Sequence, residues 1–241
     1  MKSLTLLFTV LLFVVQINAQ QVLSKEEMDN INKLKTDWPD LNRFKEENAK
    51  LSAPVAGENR VVFMGNSITI GWIEWDPGFF KDKPYVDRGI SGQTTPQMLV
   101  RFRQDVVDLK PAVVVILAGI NDIAENTGPS TLEMIEGNLS SMCEIAKANN
   151  IKVVLSSVLP ANIFPWRRTI NPAEKVFDLN KWIKEYAAHN NLVYLDYYTT
   201  MVDEEMGLKK ELTYDGVHPN LEGYKVMEPM AEKAIQEALS R

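Results

Sequence analysis

Cysteine is almost absent from the 241-residue chain: Cys143 stands alone, so no intramolecular disulfide can staple the fold. Histidine is nearly as scarce, with His189 and His218 only. One Cys and two His fall short of the usual zinc ligand set, and the acidic residues form no matching cluster, so neither metal nor other cofactor is expected. Basic residues are outnumbered, 26 Lys and Arg against 32 Asp and Glu, and no basic run interrupts the formal net charge of −6. That balance argues against nucleic acid and against anionic membrane surfaces as partners. The chain also lacks a Pro/Gly/Ser linker, an internal repeat and a low-complexity stretch, so one main domain is expected. Its one long apolar run, Leu4 to Val15, is shorter than the roughly 20 residues of a membrane span and ends at Gln16 and Asn18.

That run follows Lys2 and precedes Ile17-Asn18-Ala19, the plan of a signal peptide over residues 1–19. The expectation is export to the periplasm or beyond, with no stable membrane anchor. Residues 20–57 read as a helical extension, with a helix over 40–51 from the spacing of Leu41, Phe44 and Leu51. Residues 58–241 read as the main domain. There, apolar strands (60–64, 85–88, 112–118, 152–158 and 192–197) alternate with helical segments (94–109, 130–149, 172–189 and 220–239). The run Ala112 to Ala118 is β-branched and continuous, as a strand covered on both faces should be. Strands separated by helices imply parallel pairing, hence a three-layer α/β/α sandwich.

In such a sheet, ligands gather at the carboxyl ends of the strands. Three of those ends carry polar, glycine-bearing loops: Gly65-Asn66-Ser67-Ile68, Ser91-Gly92-Gln93-Thr94-Thr95 and Gly119-Ile120-Asn121-Asp122. A fourth motif, Asp215-Gly216-Val217-His218, precedes the last helix. His189, in a helix end, faces water and the helix dipole. His218 lies in a turn three residues after Asp215, where the carboxylate can take Nδ1–H and leave Nε2 free as a base; alternatively Asp215 only stabilises the turn. Ser67 either caps the following helix or attacks an acyl carbon once a base takes its proton. The N–H groups of Ser67 and Gly92 and the Asn121 amide are candidate donors to an oxyanion. Trp72, Trp166 and Arg167, in loops on the same side, suit a sugar ring, or else pack their loops down. Cys143, in a helical stretch, reads as a buried and inert thiol.

Together the four blocks resemble those of the SGNH (GDSL-like) hydrolase superfamily, over roughly residues 58–238 and in family order. The matching positions are Ser67, Gly92, Asn121 and His218, with Asp215 in the Asp-x-x-His block. The resemblance implies a flavodoxin-like five-stranded sheet, a Ser67-His218-Asp215 triad, a metal-free double displacement and small acyl esters as substrates. It is closest to the branch of platelet-activating-factor-type acetylhydrolases and bacterial carbohydrate acetylesterases. The expected partner is therefore a small acylated compound or a polysaccharide. A lysophospholipase, a thioesterase and a catalytically silent glycan binder are the alternatives. One departure is Asn66, where the family's first block carries Asp; the exchange keeps size and hydrogen-bonding capacity and removes a charge.

Overall fold

The central β-branched run becomes a five-residue strand, Val113–Leu117, buried along its whole length. It is β3 of a sheet that a computed structural model, describing residues 24–241, lays out in the order β2-β1-β3-β4-β5 with every neighbouring pair parallel. The other strands are β1 (Val61–Gly65), β2 (Tyr85–Gly89), β4 (Lys152–Ser156) and β5 (Val193–Leu195). Gly65, at the end of β1, pairs with Leu117 on one side and Gly89 on the other, so three strand ends finish level. The chain leaves β1 for β2 on one side and returns past β1 to β3 on the other. This reversal opens a crevice at the strand ends, where α/β folds bind ligands. The residues of the proposed signal peptide, 1–19, lie outside the described residues. Among those described, no helix is long and apolar enough to cross a membrane.

The chain divides into two units. The first, ending at Trp38, holds a helix α1 (Lys25–Thr36) that the sequence reading does not name. The second begins at Pro39 rather than at residue 58. The expected helix over 40–51 shrinks to α2 (Lys45–Lys50), preceded by turns. The reason is polar: Asn48 is drawn into the domain, where it accepts from Arg88 and donates to Asp105, and Gln93 and Gln104 donate to the carbonyls of Pro39 and Leu41. Residues 39–57 are thus part of the main unit, not an extension of it.

Helices α3 (Ser67–Trp75) and α9 (Leu221–Ser240) cover one face of the sheet; α4 (Thr95–Asp105), α6 (Leu132–Ala148) and α7 (Ala173–His189) cover the other. A four-residue turn of helix, α5 (Ile120–Ile123), follows β3, and α8 (Tyr197–Met201) follows β5, which stops short of the strand expected to run to residue 197. The contact of α3 with β2 is so close that a Cβ on Gly89 would stand 2.3 Å from the Ile70 nitrogen. Trp72 anchors α3. It is 3% exposed, stacks on Phe79 at 4.3 Å and meets Phe63 edge-on. The expected role of Trp72 in substrate binding therefore fails, because its ring fills the core. Truncation to Ala should cost about 3–5 kcal/mol. Cys143 is buried in α6, and burial pushes its thiol up to about 12, which keeps it unreactive.

Asp87, inside β2, is the unusual core residue. Oδ1 accepts from the Gly89 N–H, while Oδ2 is buried with no partner among the described residues. Burial pushes its carboxyl up to about 6, against the opposing pull of the Gly89 N–H, Arg88 and Arg101. A folded-state value above the unfolded one means stability that is full below about 4 and is lost as pH rises through 6. Asp87→Asn keeps the Gly89 bond and removes the buried charge. Denaturant unfolding should show it more stable than wild type by about 1–3 kcal/mol at pH 7.5, with the gain vanishing near pH 4. Equal destabilisation at both pH values would contradict this reading of Asp87.

Candidate active site

Asn66 ends β1 and starts α3. Its Oδ1 accepts from the Ile68 N–H at 3.0 Å, an N-cap that sets the first turn and turns Ser67 toward the crevice. Tyr224 of α9 clamps the same turn by donating to the Ile68 carbonyl at 2.9 Å. Ser67 Oγ lies 2.9 Å from His218 Nε2, across 151 residues of sequence. On the far side of the ring, Nδ1 lies 2.7 Å from Asp215 Oδ2. Asp215 Oδ1 accepts the N–H groups of Val217 and His218, so one carboxylate shapes the turn and orients the ring. Burial pushes the Asp215 carboxyl up, but the N–H and ring of His218 and the Val217 N–H outweigh it and hold it below the usual range. At neutral pH it is an anion facing Nδ1–H, and Nε2 can accept the Ser67 proton. His189 takes no part: it is exposed, with Nδ1 2.8 Å from the Glu185 carbonyl of its own helix.

A cleft of about 260 Å³ opens above Ser67, lined by Ser91, Gly92, Asn121, Asn126, Trp166 and His218. Gly92 has φ +77°, a left-handed conformation that favours glycine and lets the loop present its backbone to the cleft. Among the described residues, no backbone acceptor takes the N–H of Ser67 or of Gly92. Asn121 is 3% exposed; its Nδ2 donates to the Gln93 carbonyl at 2.9 Å and its Oδ1 accepts from Asn126 Nδ2 at 3.0 Å. The first bond fixes which end of the amide carries hydrogens, because a backbone carbonyl can only accept, and one N–H of Nδ2 is left over for a ligand. Asp122 ties the same loop to α4 by accepting from the N–H and hydroxyl of Thr95. Three donors thus border a serine–histidine–carboxylate chain, an arrangement able to run acyl transfer.

Sequence reasoning misses Asn126, which lines the cleft. Asn126 also accepts from Trp166 Nε1 at 3.2 Å, linking the cleft wall to the Asn121 amide. Trp166 itself is 46% exposed, its ring 5.9 Å from that of His218. Arg167 does not line the cleft; it pairs with Glu125 at 3.4 Å. The signal that could have pointed to Asn126 is its place in the loop after Asn121-Asp122, one turn further on.

The profile of the GDSL-like lipase/acylhydrolase family matches residues 63–226, a span that holds all of these groups. The chain belongs to this family. As a GDSL-family esterase/acylhydrolase it hydrolyses ester bonds. A GDSL-like lipase of known structure from Bacteroides thetaiotaomicron is 51% identical and superposes with a TM-score of 0.82, over 84% of this chain and 100% of that one. Esterase TesA of Pseudomonas aeruginosa is 29% identical over 172 residues, which span 69% of this chain and 79% of TesA. An acetylxylan esterase from Geobacillus stearothermophilus, 20% identical over 76% of this chain and 96% of its own, shares the GDSL fold with a TM-score of 0.57.

The link from Asn126 to Asn121 can be tested without touching either histidine. Asn126→Asp keeps the shape but cannot donate to Asn121 Oδ1 when ionised. Removing a donor outright typically costs about 10²–10³-fold in kcat; losing only its orientation should cost less, about tenfold, with little change in KM. Steady-state kinetics on 4-nitrophenyl acetate read the effect. Wild-type kcat in Asn126→Asp would show that Asn121 needs no such partner.

Proposed function

We propose that the chain is an exported serine esterase that removes short acyl groups, chiefly acetyl, from carbohydrate. The observation that carries this reading is the Ser67–His218–Asp215 chain of 2.9 and 2.7 Å opening on a cleft of about 260 Å³ walled by Trp166. Ser67 Oγ attacks the ester carbonyl carbon while His218 Nε2 takes its proton, and Asp215 stabilises the imidazolium. The carbonyl oxygen becomes an oxyanion held by the N–H groups of Ser67 and Gly92 and by Asn121 Nδ2. As the carbon–oxygen bond to the sugar breaks, His218 returns the proton to the departing hydroxyl, leaving an acyl-Ser67. Water, deprotonated by His218, then attacks that ester and releases acetate and free serine.

Acetylxylan esterases among the structures of similar fold support acetyl as the acyl group. Exposed Trp166 at the cleft wall supports a sugar as the alcohol, by stacking on the ring face. The run from Lys2 to Ala19 supports export, with a mature chain that begins at Gln20. The intact mass of the secreted protein checks that end.

Activity should fall from acetate through butyrate to octanoate esters of 4-nitrophenol, and acetate should be released from acetylated saccharides. Ser67→Ala should lower kcat by about 10³-fold or more while melting stays near wild type. A preference for octanoate, or a tenth of wild-type activity left in Ser67→Ala, would contradict the proposal.

A further inference from the structure

The rim of the cleft holds two large aromatic side chains that the reaction does not use. Trp75, the last residue of α3, is 42% exposed, and Tyr214, next to Asp215, is 58% exposed. They contrast with Trp72, Tyr197 and Tyr224, which the core absorbs almost completely. Trp75 stacks on Tyr214 with centroids 5.7 Å apart and planes 22° apart, and Tyr214 stacks on His218 at 5.7 Å and 13°. The result is a stepped row of near-parallel rings that leads from the imidazole of His218 through Tyr214 to Trp75. Leaving such rings in water forgoes apolar burial that the fold obtains elsewhere for the same residue types.

Taking the carbohydrate-esterase reading as its basis, we infer that Trp75 and Tyr214 form a second sugar subsite. It would hold the pyranose ring next to the one that bears the ester, so the substrate is an oligo- or polysaccharide rather than an acylated monosaccharide. The charges around the row favour that occupant. Asp215 and Glu74 lie close enough to Tyr214 to add to the effect of burial in raising its phenol. Glu74, which the triad does not use, can accept hydrogen bonds from sugar hydroxyls, and the two negative charges repel phosphate, as in a lysophospholipid headgroup or a phosphorylated thioester.

Trp75 is the clean probe, because its ring meets Tyr214 and not His218 among the ring contacts of the described residues. The assay measures acetate release from peracetylated xylose, xylobiose and xylotriose, and from the corresponding gluco-oligosaccharides, and reads the ratio of kcat/KM between chain lengths. In wild type, kcat/KM should rise about tenfold from one unit to two in at least one series. Trp75→Ala should abolish the rise and Trp75→Tyr should restore most of it, all with unchanged melting. Equal kcat/KM for one, two and three units, or a rise that survives in Trp75→Ala, overturns the subsite while leaving the esterase reading intact. Hydrolysis of 4-nitrophenyl acetate with no acetate released from any saccharide overturns the carbohydrate reading itself. Sedimentation gives the last arm: a wild-type dimer that Trp75→Ala dissociates would assign the row to a second copy of the chain and overturn the subsite.

Discussion

The guanidinium of Arg101 is the point on which the geometry of the site depends. It is fully buried, and it donates to the carbonyls of Gly65 and Arg88, to Gln93 Oε1 and to Asp105. Those acceptors sit at the end of β1, in β2, in the loop that carries Gly92, and on α4. Burial lowers the guanidinium to about 10 even with Asp105 beside it, so it remains charged at neutral pH. A charge in that position is tolerable because each of its three nitrogens is engaged. The two loops that supply the Ser67 and Gly92 amides are therefore held at one spacing by a single planar group. The Gln93 carbonyl extends the tie to Asn121, and Asn48 extends it to Arg88 and the N-terminal segment through Asp105. Residues 39–57 are integral to the domain for this reason.

Asn66 fits the same scheme. The family's first block carries Asp there, yet the one contact that shapes the turn, acceptance of the Ile68 N–H, needs only an oxygen. The amide supplies it. Its Nδ2 is buried without a partner among the described residues, so the exchange removes a charge and leaves an unpaired donor next to the helix that begins at Ser67. The serine is presented by the cap, and the cap survives.

What could be read from the residues was local or periodic. The Val113–Leu117 run announced a strand covered on both faces, and three glycine-bearing loops at strand ends located the crevice. Asp215 and His218 were legible because a turn brings them together within three residues. What escaped depended on distant contacts. Trp72 and Trp75 look alike in the sequence; Phe63, Phe79 and Tyr224 decide that the first is core, and Tyr214 holds the second at the surface. Asn126 carries no motif, and its meaning comes from Asn121 and Trp166 closing around it. The helix is shorter than the spacing over 40–51 implies, because apolar spacing does not register Asn48 being drawn toward Arg88 and Asp105.

The central claim is that Ser67, and no other serine at the cleft, is activated for attack. Ser91 lines the same cleft and is the natural rival. Brief exposure to a small fluorophosphonate, followed by peptide mass mapping, addresses the claim directly. One adduct per chain is expected, on the peptide that contains Ser67, formed in step with loss of esterase activity and far more slowly in His218→Gln. An adduct on Ser91, or inactivation that leaves Ser67 unmodified, would contradict it.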